Sequence, residues 1–290
     1  MKISFLILGS NGTLGKKIFE ELVLKKKFII KTVAKKNADF CINLEKFDKL
    51  ENIFKNNKFN FVINCAAYTN LKYCEKNYKK TLKINTYLPK KLSQLSIEYN
   101  FRYIHISTDH IYISKKNIAN SEKFKIGWHN YYSKSKYLAE KNILANSKSL
   151  IIRTNFIDDS SNKKSFLYWL NNNFNKKKEI PLFHDMYTST IDLKTFSKIL
   201  IKLTLTKSFG IFNIGANEIL SKKEFAIKYF KNLKKNLKYK DVSANNTKLI
   251  ALKRGKYLGL NIKKVEKKLK IKMPSSIKVI KNLVYENTRN

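Results

Sequence analysis

The stretch ILGSNGTLGKKI, residues 7–18, holds three of the chain's eight glycines, Gly9, Gly12 and Gly15, directly after its first apolar run. Glycine loses more backbone freedom on folding than other residues, so a cluster marks a backbone shape that side chains would block. The spacing G-x-x-G-x-x-G stands where a strand gives way to a helix. A tight turn there lets a phosphate approach backbone N–H groups at the positive end of the helix. Gly9, Ser10, Asn11, Gly12, Thr13, Leu14 and Gly15 therefore form a candidate dinucleotide cradle. Glycine turns also end strands for structural reasons alone, so the motif needs its context.

That context is an alternation of short apolar runs with helix-like stretches, the pattern of a parallel sheet with crossover helices. Strands are expected at 3–8, 28–34, 59–66, 102–108, 149–155 and 210–216. Helices are expected at Leu14–Lys25, Leu44–Lys55, Tyr78–Tyr99 and Tyr131–Ala145. The expected fold is α/β: a Rossmann-type doubly wound parallel sheet with a smaller C-terminal α/β lobe. The dinucleotide-binding domain is placed at 1–155 and 192–217, and the substrate lobe at 156–191 and 218–290. Amphipathic helices SKKEFAIKYFKNLKK and KKVEKKLKI belong to that lobe. No acid closes the second strand, where Lys35 and Lys36 follow instead. An acid there would hold a ribose 2′-hydroxyl, whereas lysines suit a 2′-phosphate, so NADP(H) is favoured slightly over NAD(H).

The formal net charge of +39 invites a nucleic-acid reading. The excess is lysine spread along the whole chain, and the only arginines are Arg102, Arg153, Arg254 and Arg289. Base-edge readers lean on the bidentate fork of arginine, so no specific nucleic-acid partner is expected. No apolar run approaches the ~20 residues of a membrane span. The opening MKISFLILG is too short for a signal peptide, and no small-residue cleavage site follows it. Cys41, Cys65 and Cys74 lack metal-ligand spacing, and no metal site is expected. A reducing cytoplasm is the simplest setting.

A second informative stretch is HNYYSKSKYLAE, residues 129–140. Tyr132 and Lys136 lie four apart, so one helical turn puts them on one face. An ammonium beside a phenol stabilises the phenolate and makes it a usable acid or base near neutrality. Tyr131 and Tyr137 are rival phenols, and Lys134 is a rival lysine. Upstream, Thr108 ends the strand YIHIST, and hydroxyls at the carboxyl end of a parallel strand face the ligand crevice. His105 and His129 have no carboxylate or cysteine at ligand spacing. Arg153 ends an interior strand and is read as packing or a buried pair.

Together the glycine turn, Thr108, Tyr132 and Lys136 resemble the extended short-chain dehydrogenase/reductase family. NCAAYTN (64–70) looks like that family's loop after the third sheet strand, which brings Ala66, Ala67 and Tyr68 to the cofactor and Thr69 to the substrate. KINTYLPKKL carries Asn85 where the family has a structural or catalytic asparagine. ISTDHIY (106–112) is similar to the S-T-D-x-V-[FY] signature of dTDP-4-dehydrorhamnose reductases and related sugar-nucleotide reductases. Sugar-nucleotide dehydratases carry a glutamate after the aspartate; here His110 follows Asp109. LIIRTNFI and GIFNIGANEILSKKEFA also look like this reductase group, and so does the closing segment from Leu249 to Pro274. Gly255 replaces the usual proline after Arg254, and HDMYTSTIDL lacks the Gly and Pro of D-x-x-G-x-P-T.

The resemblance implies NAD(P)H-dependent reduction of the 4-keto group of a nucleoside-diphosphate 6-deoxysugar, as in dTDP-L-rhamnose or related polysaccharide precursors. Tyr132 would give the proton, Lys136 would hold the nicotinamide ribose and tune Tyr132, and Thr108 would orient the carbonyl. Asp109, His110, Asn155 and Arg254 are candidate substrate contacts, with Arg254 suited to a diphosphate. A homodimer is allowed. The alternatives are a nucleoside-diphosphate-sugar epimerase on the same fold and a non-catalytic NAD(P)-binding subunit.

Overall fold

The computed structural model describes residues 2–46, 48–144, 148–158, 163, 165–245 and 252–287. Seven strands form one sheet: β1 (Ser4–Leu8), β2 (Ile29–Ala34), β3 (Phe40–Cys41), β4 (Phe61–Asn64), β5 (Arg102–Ile106), β6 (Leu150–Thr154) and β7 (Gly210–Ile214). Their order is β7-β6-β5-β4-β1-β2-β3. The pairs β1/β2, β1/β4, β2/β3, β4/β5 and β5/β6 are parallel. Order reverses between β1 and β4, which is where an open α/β sheet leaves a crevice beyond its strand ends. Phe5, Leu6, Ile7 and Leu8 are all fully buried. A strand apolar on every residue is one covered on both faces, as the central position of β1 requires.

The six expected strands are present with slightly shorter bounds, and β3 is an addition at the sheet edge. Two residues carry no pattern of their own. What pins them is Asp39, whose carboxylate accepts from the Thr32 N–H at 3.0 Å, the Thr32 hydroxyl at 2.7 Å and the Lys31 ammonium at 2.8 Å. The expected single helix over Tyr78–Tyr99 is interrupted. It runs as Tyr78–Leu82, a π turn Lys83–Tyr87, and Leu88–Glu98. Pro89 is the reason: it lacks an N–H, and its ring crowds the carbonyl four residues earlier, so the turn widens at Asn85. The helix expected over Leu44–Lys55 begins later, at Asp48. A short helix at Leu71–Lys76, capped by the Asn70 side chain, was not expected. The helix Tyr131–Leu144 is capped by Asn130, whose side chain accepts from Ser133 N–H at 2.9 Å. Its expected last residue, Ala145, lies outside the described residues, as do Leu249, Ile250 and Ala251 of the closing segment.

The chain forms two compact units. The first is Met1–Ile111, Ile126–Arg153 and Ser197–Phe212; the second is Tyr112–Lys125, Thr154–Phe196 and Asn213–Asn290. The first contains the sheet. In the second, Ile180–Phe183 pairs in parallel with Tyr239–Val242, and Tyr187–Thr188 lies between Leu220–Ser221 and Tyr257–Leu258. The helix Lys222–Asn232 starts with a capping box of Ser221 and Glu224. Residues 112–125, expected with the dinucleotide-binding domain, group with the second unit through buried polar clamps. Asn120 donates to the carbonyls of Tyr257 and Gly259, and Asn213 donates to those of Asn120 and Asn261. The Tyr112 hydroxyl donates to the Asn213 side chain at 2.8 Å. Among the described residues no helix is long and apolar enough to cross a membrane.

Candidate active site

The glycine turn sits at the order reversal and is shaped by missing atoms. Gly9 has φ +75°, and a Cβ there would stand 2.8 Å from the Ala66 nitrogen, on the loop after β4. A Cβ on Gly15 would stand 2.3 Å from the Gly9 carbonyl oxygen. The first glycine thus lets two strand-end loops touch, and the third seats the helix Thr13–Val23 against the turn. Gly12 is the helix N-cap, with extended backbone and no side-chain cap. The turn is tied to the end of β2: Gly9 N–H donates to the Val33 carbonyl at 2.9 Å, and the Asn11 side chain donates to the Lys36 carbonyl at 2.6 Å. Ser10 is buried against the same Val33 carbonyl. Lys35 and Lys36 are exposed there. Asp39, the nearest acid along the chain, is consumed by Thr32 and Lys31. The arrangement fits a dinucleotide: glycines let the backbone close into a tight turn where a Cβ would collide, and the first turn of a helix, with Thr13 and Leu14, follows directly, as a phosphate cradle requires.

Beyond β4, the loop Cys65-Ala66-Ala67-Tyr68 is held by two asparagines. Asn64 accepts from Ala66 N–H at 3.1 Å. Asn85, on the π turn, accepts from Tyr68 N–H at 2.8 Å and donates to the Tyr68 carbonyl at 2.8 Å and the Ser135 hydroxyl at 3.0 Å. These bonds use the oxygen and both hydrogens of the Asn85 amide, so its observed work is to pin this loop to the Tyr131–Leu144 helix. Thr69 is exposed beside it.

Thr108 and Asp109 follow β5 and are buried. The Thr108 hydroxyl accepts from His110 N–H at 3.2 Å and donates to the Asp109 carboxylate at 3.3 Å. The Thr108 hydroxyl also lies beside the Tyr132 phenol. Burial pushes that phenol up to about 12; the Thr108 hydroxyl opposes the rise, while Asp109 and Cys74 add to it. Tyr132 therefore holds its proton at neutral pH. The His110 ring stands edge-on to it, centroids 6.0 Å apart. Of the three phenols the sequence offers, Tyr132 is the one brought to Thr108.

Lys136 departs from the expected geometry. Its ammonium nitrogen lies 3.0 Å from His105 Nε2 and 2.7 Å from the Ile106 carbonyl oxygen. Burial pulls it down to about 7, against the opposing pull of Glu140 and Cys65. Helical spacing placed its Cα on the phenol's face, but four flexible carbons let the head group reach the acceptors at the end of β5. His105 was thus missed as a partner. Its signal was its place on an inward-facing strand position three residues before Thr108. Glu140 was missed too. One turn beyond Lys136, it accepts from the Arg153 guanidinium at 2.7 Å and from the Ser107 hydroxyl at 2.5 Å. That is the buried pair foreseen for Arg153.

Asn155 and Arg254 belong to the second unit. The Asn155 side chain accepts from Thr190 at 3.4 Å, and its carbonyl from Ile191 N–H at 3.1 Å. Arg254 is exposed and makes no ion pair among the described residues. In HDMYTSTIDL, Asp185 is held by Ser243, Ala244 N–H and Lys256, each at 2.8–2.9 Å.

The family described as RmlD substrate binding domain matches residues 1–288. The chain is 22% identical to the probable low-salt glycan biosynthesis reductase Agl14 of Haloferax volcanii, over 77% of each protein. It is 27% identical to the spore coat polysaccharide biosynthesis protein SpsK of Bacillus subtilis, over 76% of each. Among solved structures, dTDP-4-dehydrorhamnose reductase from Bacillus anthracis, in complex with NADP, superposes with a TM-score of 0.89 at 23% identity. That match covers 99% of this chain and 100% of the other.

Proposed function

The chain belongs to the RmlD substrate binding domain family, and from that premise we propose that it reduces the 4-keto group of a nucleoside-diphosphate 6-deoxysugar with NAD(P)H. The observation that carries the reading is the placement of the Tyr132 phenol beside the Thr108 hydroxyl at the carboxyl end of β5, where burial favours the protonated phenol. A carbonyl becoming an alkoxide needs a nearby acid that still holds its proton at neutral pH, and Tyr132 is one. The position after Asp109, where the dehydratase pattern carries a glutamate, holds His110, so elimination lacks its acid. The B. anthracis relative is named as a reductase of this substrate type.

The coenzyme, when bound, supplies the hydride. Gly9, Gly12 and Gly15 shape the turn that would hold its pyrophosphate at the N-terminus of the Thr13–Val23 helix, with Ser10, Asn11, Thr13 and Leu14 completing the turn. Ala66, Ala67 and Tyr68, fixed by Asn64 and Asn85, would contact the coenzyme from the loop after β4. Lys35 and Lys36 favour a 2′-phosphate and so NADPH. Thr108 holds the carbonyl oxygen, and Tyr132 gives its phenolic proton to that oxygen as charge develops. Lys136, in its charged form, would hold the ribose and balance the phenolate left behind. The first unit serves the coenzyme. The second serves the sugar nucleotide, with Arg254 free to take a diphosphate and Asn155 as a further contact, and Thr69, Asp109 and His110 of the first unit add to these. The chain works in the cytoplasm, where its three free thiols stay reduced.

The test follows NADPH and NADH oxidation with dTDP-4-dehydro-6-deoxy-L-mannose, with product identified by mass. Oxidation with a product heavier by two hydrogens, faster with NADPH, is the expected result. An isomerised sugar with no net coenzyme oxidation would replace the reductase by an epimerase.

A further inference from the structure

Beneath the Tyr131–Leu144 helix, four buried polar side chains run in series: Asn64, Tyr103, His105 and Lys136. Hydrogen counting gives the series a direction. The Asn64 oxygen accepts from Ala66 N–H, so its amide nitrogen faces the Tyr103 hydroxyl, 3.2 Å away, and donates to it. The partner for the hydroxyl's own hydrogen among the described residues is His105 Nδ1, at 3.1 Å. A neutral imidazole that accepts at Nδ1 carries its hydrogen on Nε2. That hydrogen points at Lys136 Nζ, 3.0 Å away, which can accept it only as an uncharged amine. The amine's hydrogens then serve the Ile106 carbonyl at 2.7 Å.

The alternative arrangement has a charged Lys136 donating to Nε2. The ring hydrogen then moves to Nδ1 and donates to Tyr103, whose own hydrogen loses its partner. The two arrangements differ by one proton, exchanged with water. A doubly protonated ring beside the ammonium would set two desolvated cations side by side, and beside the amine it would put the proton on the less basic group, since burial and Lys136 both hold His105 well below its ordinary value. Of the other groups facing Lys136, the Cys65 thiol is pushed up to about 12 and stays neutral, and Glu140 is bound to Arg153 and Ser107. Tyr132, one turn earlier on the helix, keeps its proton.

We propose that Tyr103 and His105 form a tautomeric clamp on Lys136, in which the imidazole's tautomer and the lysine's charge change together. His105 is then a positioning residue: it decides whether Lys136 stands as amine or ammonium, and so when it can balance the negative charge forming on Tyr132. This last step rests on the proposed reductase reading; the clamp itself does not.

The test is nitrogen NMR of the full chain labelled in its histidine rings, with the His105 signals assigned by their loss in His105→Gln. Near pH 8.5 the ring should carry its hydrogen on Nε2, and near pH 6 on Nδ1, with a midpoint close to the lysine's value of about 7. In Lys136→Met the switch should vanish. One unchanging tautomer, an imidazolium at pH 6, or a switch that survives in Lys136→Met would overturn the proposal. Because the ring is read directly, a failed reductase assay leaves the clamp standing, and a static ring leaves the reductase reading standing.

Discussion

Two cations are buried under the same helix, and they are treated in opposite ways. At one end Arg153 meets the Glu140 carboxylate through both Nε and a terminal nitrogen, and Ser107 completes the carboxylate's shell. At the other end, one turn away, the hydrogen-bond partners of Lys136 among the described residues are a carbonyl and an imidazole. A buried guanidinium with a bidentate carboxylate stays charged and acts as a fixed strut. A buried ammonium without one is drawn toward neutrality, to about 7. The difference separates structure from chemistry: the strut sets the distance between β5, β6 and the helix, and the titratable lysine stands where protons move.

That comparison can be broken by experiment. The largest effect is expected for Glu140→Ala, which leaves Arg153 charged and alone; unfolding in denaturant should show a loss of ~3–5 kcal/mol. Ser107→Ala removes one hydrogen bond to the same carboxylate and should cost about 1.5–3 kcal/mol in the same assay.

Lys136→Met should behave with the opposite sign. The folded lysine ionises near 7 and the unfolded one near 10.5, so between these values the unfolded chain binds one more proton. Stability of the wild type therefore rises with pH from 7 up to the ordinary thiol value of 9.0, where Cys65 begins to oppose it. The slope is at most about 1.4 kcal/mol per pH unit. Denaturation midpoints at two pH values inside that window should show the rise in the wild type and its loss in Lys136→Met. An unchanged slope would mean that Lys136 is charged like the arginine.

The smallest effect belongs to cations that are not buried. Lys35→Ala with Lys36→Ala should lower NADPH preference over NADH by a few-fold, as exposed charges contribute roughly 0.2–1 kcal/mol each. An unchanged coenzyme ratio would remove them from the account.

The same contrast explains what was legible in the sequence. The glycine turn could be read because a missing side chain is visible in a sequence, and Gly9 and Gly15 both occupy places where a Cβ collides with backbone. The strands could be read because Phe5 to Leu8 is apolar throughout. Tyr132 and Lys136 could be placed on one face, but helical spacing fixes Cα positions and says nothing of where a lysine's amine comes to rest. His105 looked like a lone strand histidine, because its partners Tyr103 and Lys136 meet it only after β5 and the helix have packed. The strand Phe40–Cys41 was invisible, since its specification lies in Asp39 and its bonds to Thr32. The break at Lys83–Tyr87 was signalled by Pro89, a residue the helical pattern absorbed.

The most direct test of the reductase account is transfer of deuterium from NADPH labelled at the nicotinamide C4, followed in wild type and in Tyr132→Phe. The account predicts that the wild type places the label on C4 of the sugar. It predicts that Tyr132→Phe binds the coenzyme normally and transfers the label roughly 100- to 10,000-fold more slowly. Transfer at the wild-type rate in Tyr132→Phe, or a wild-type product without label, would contradict it.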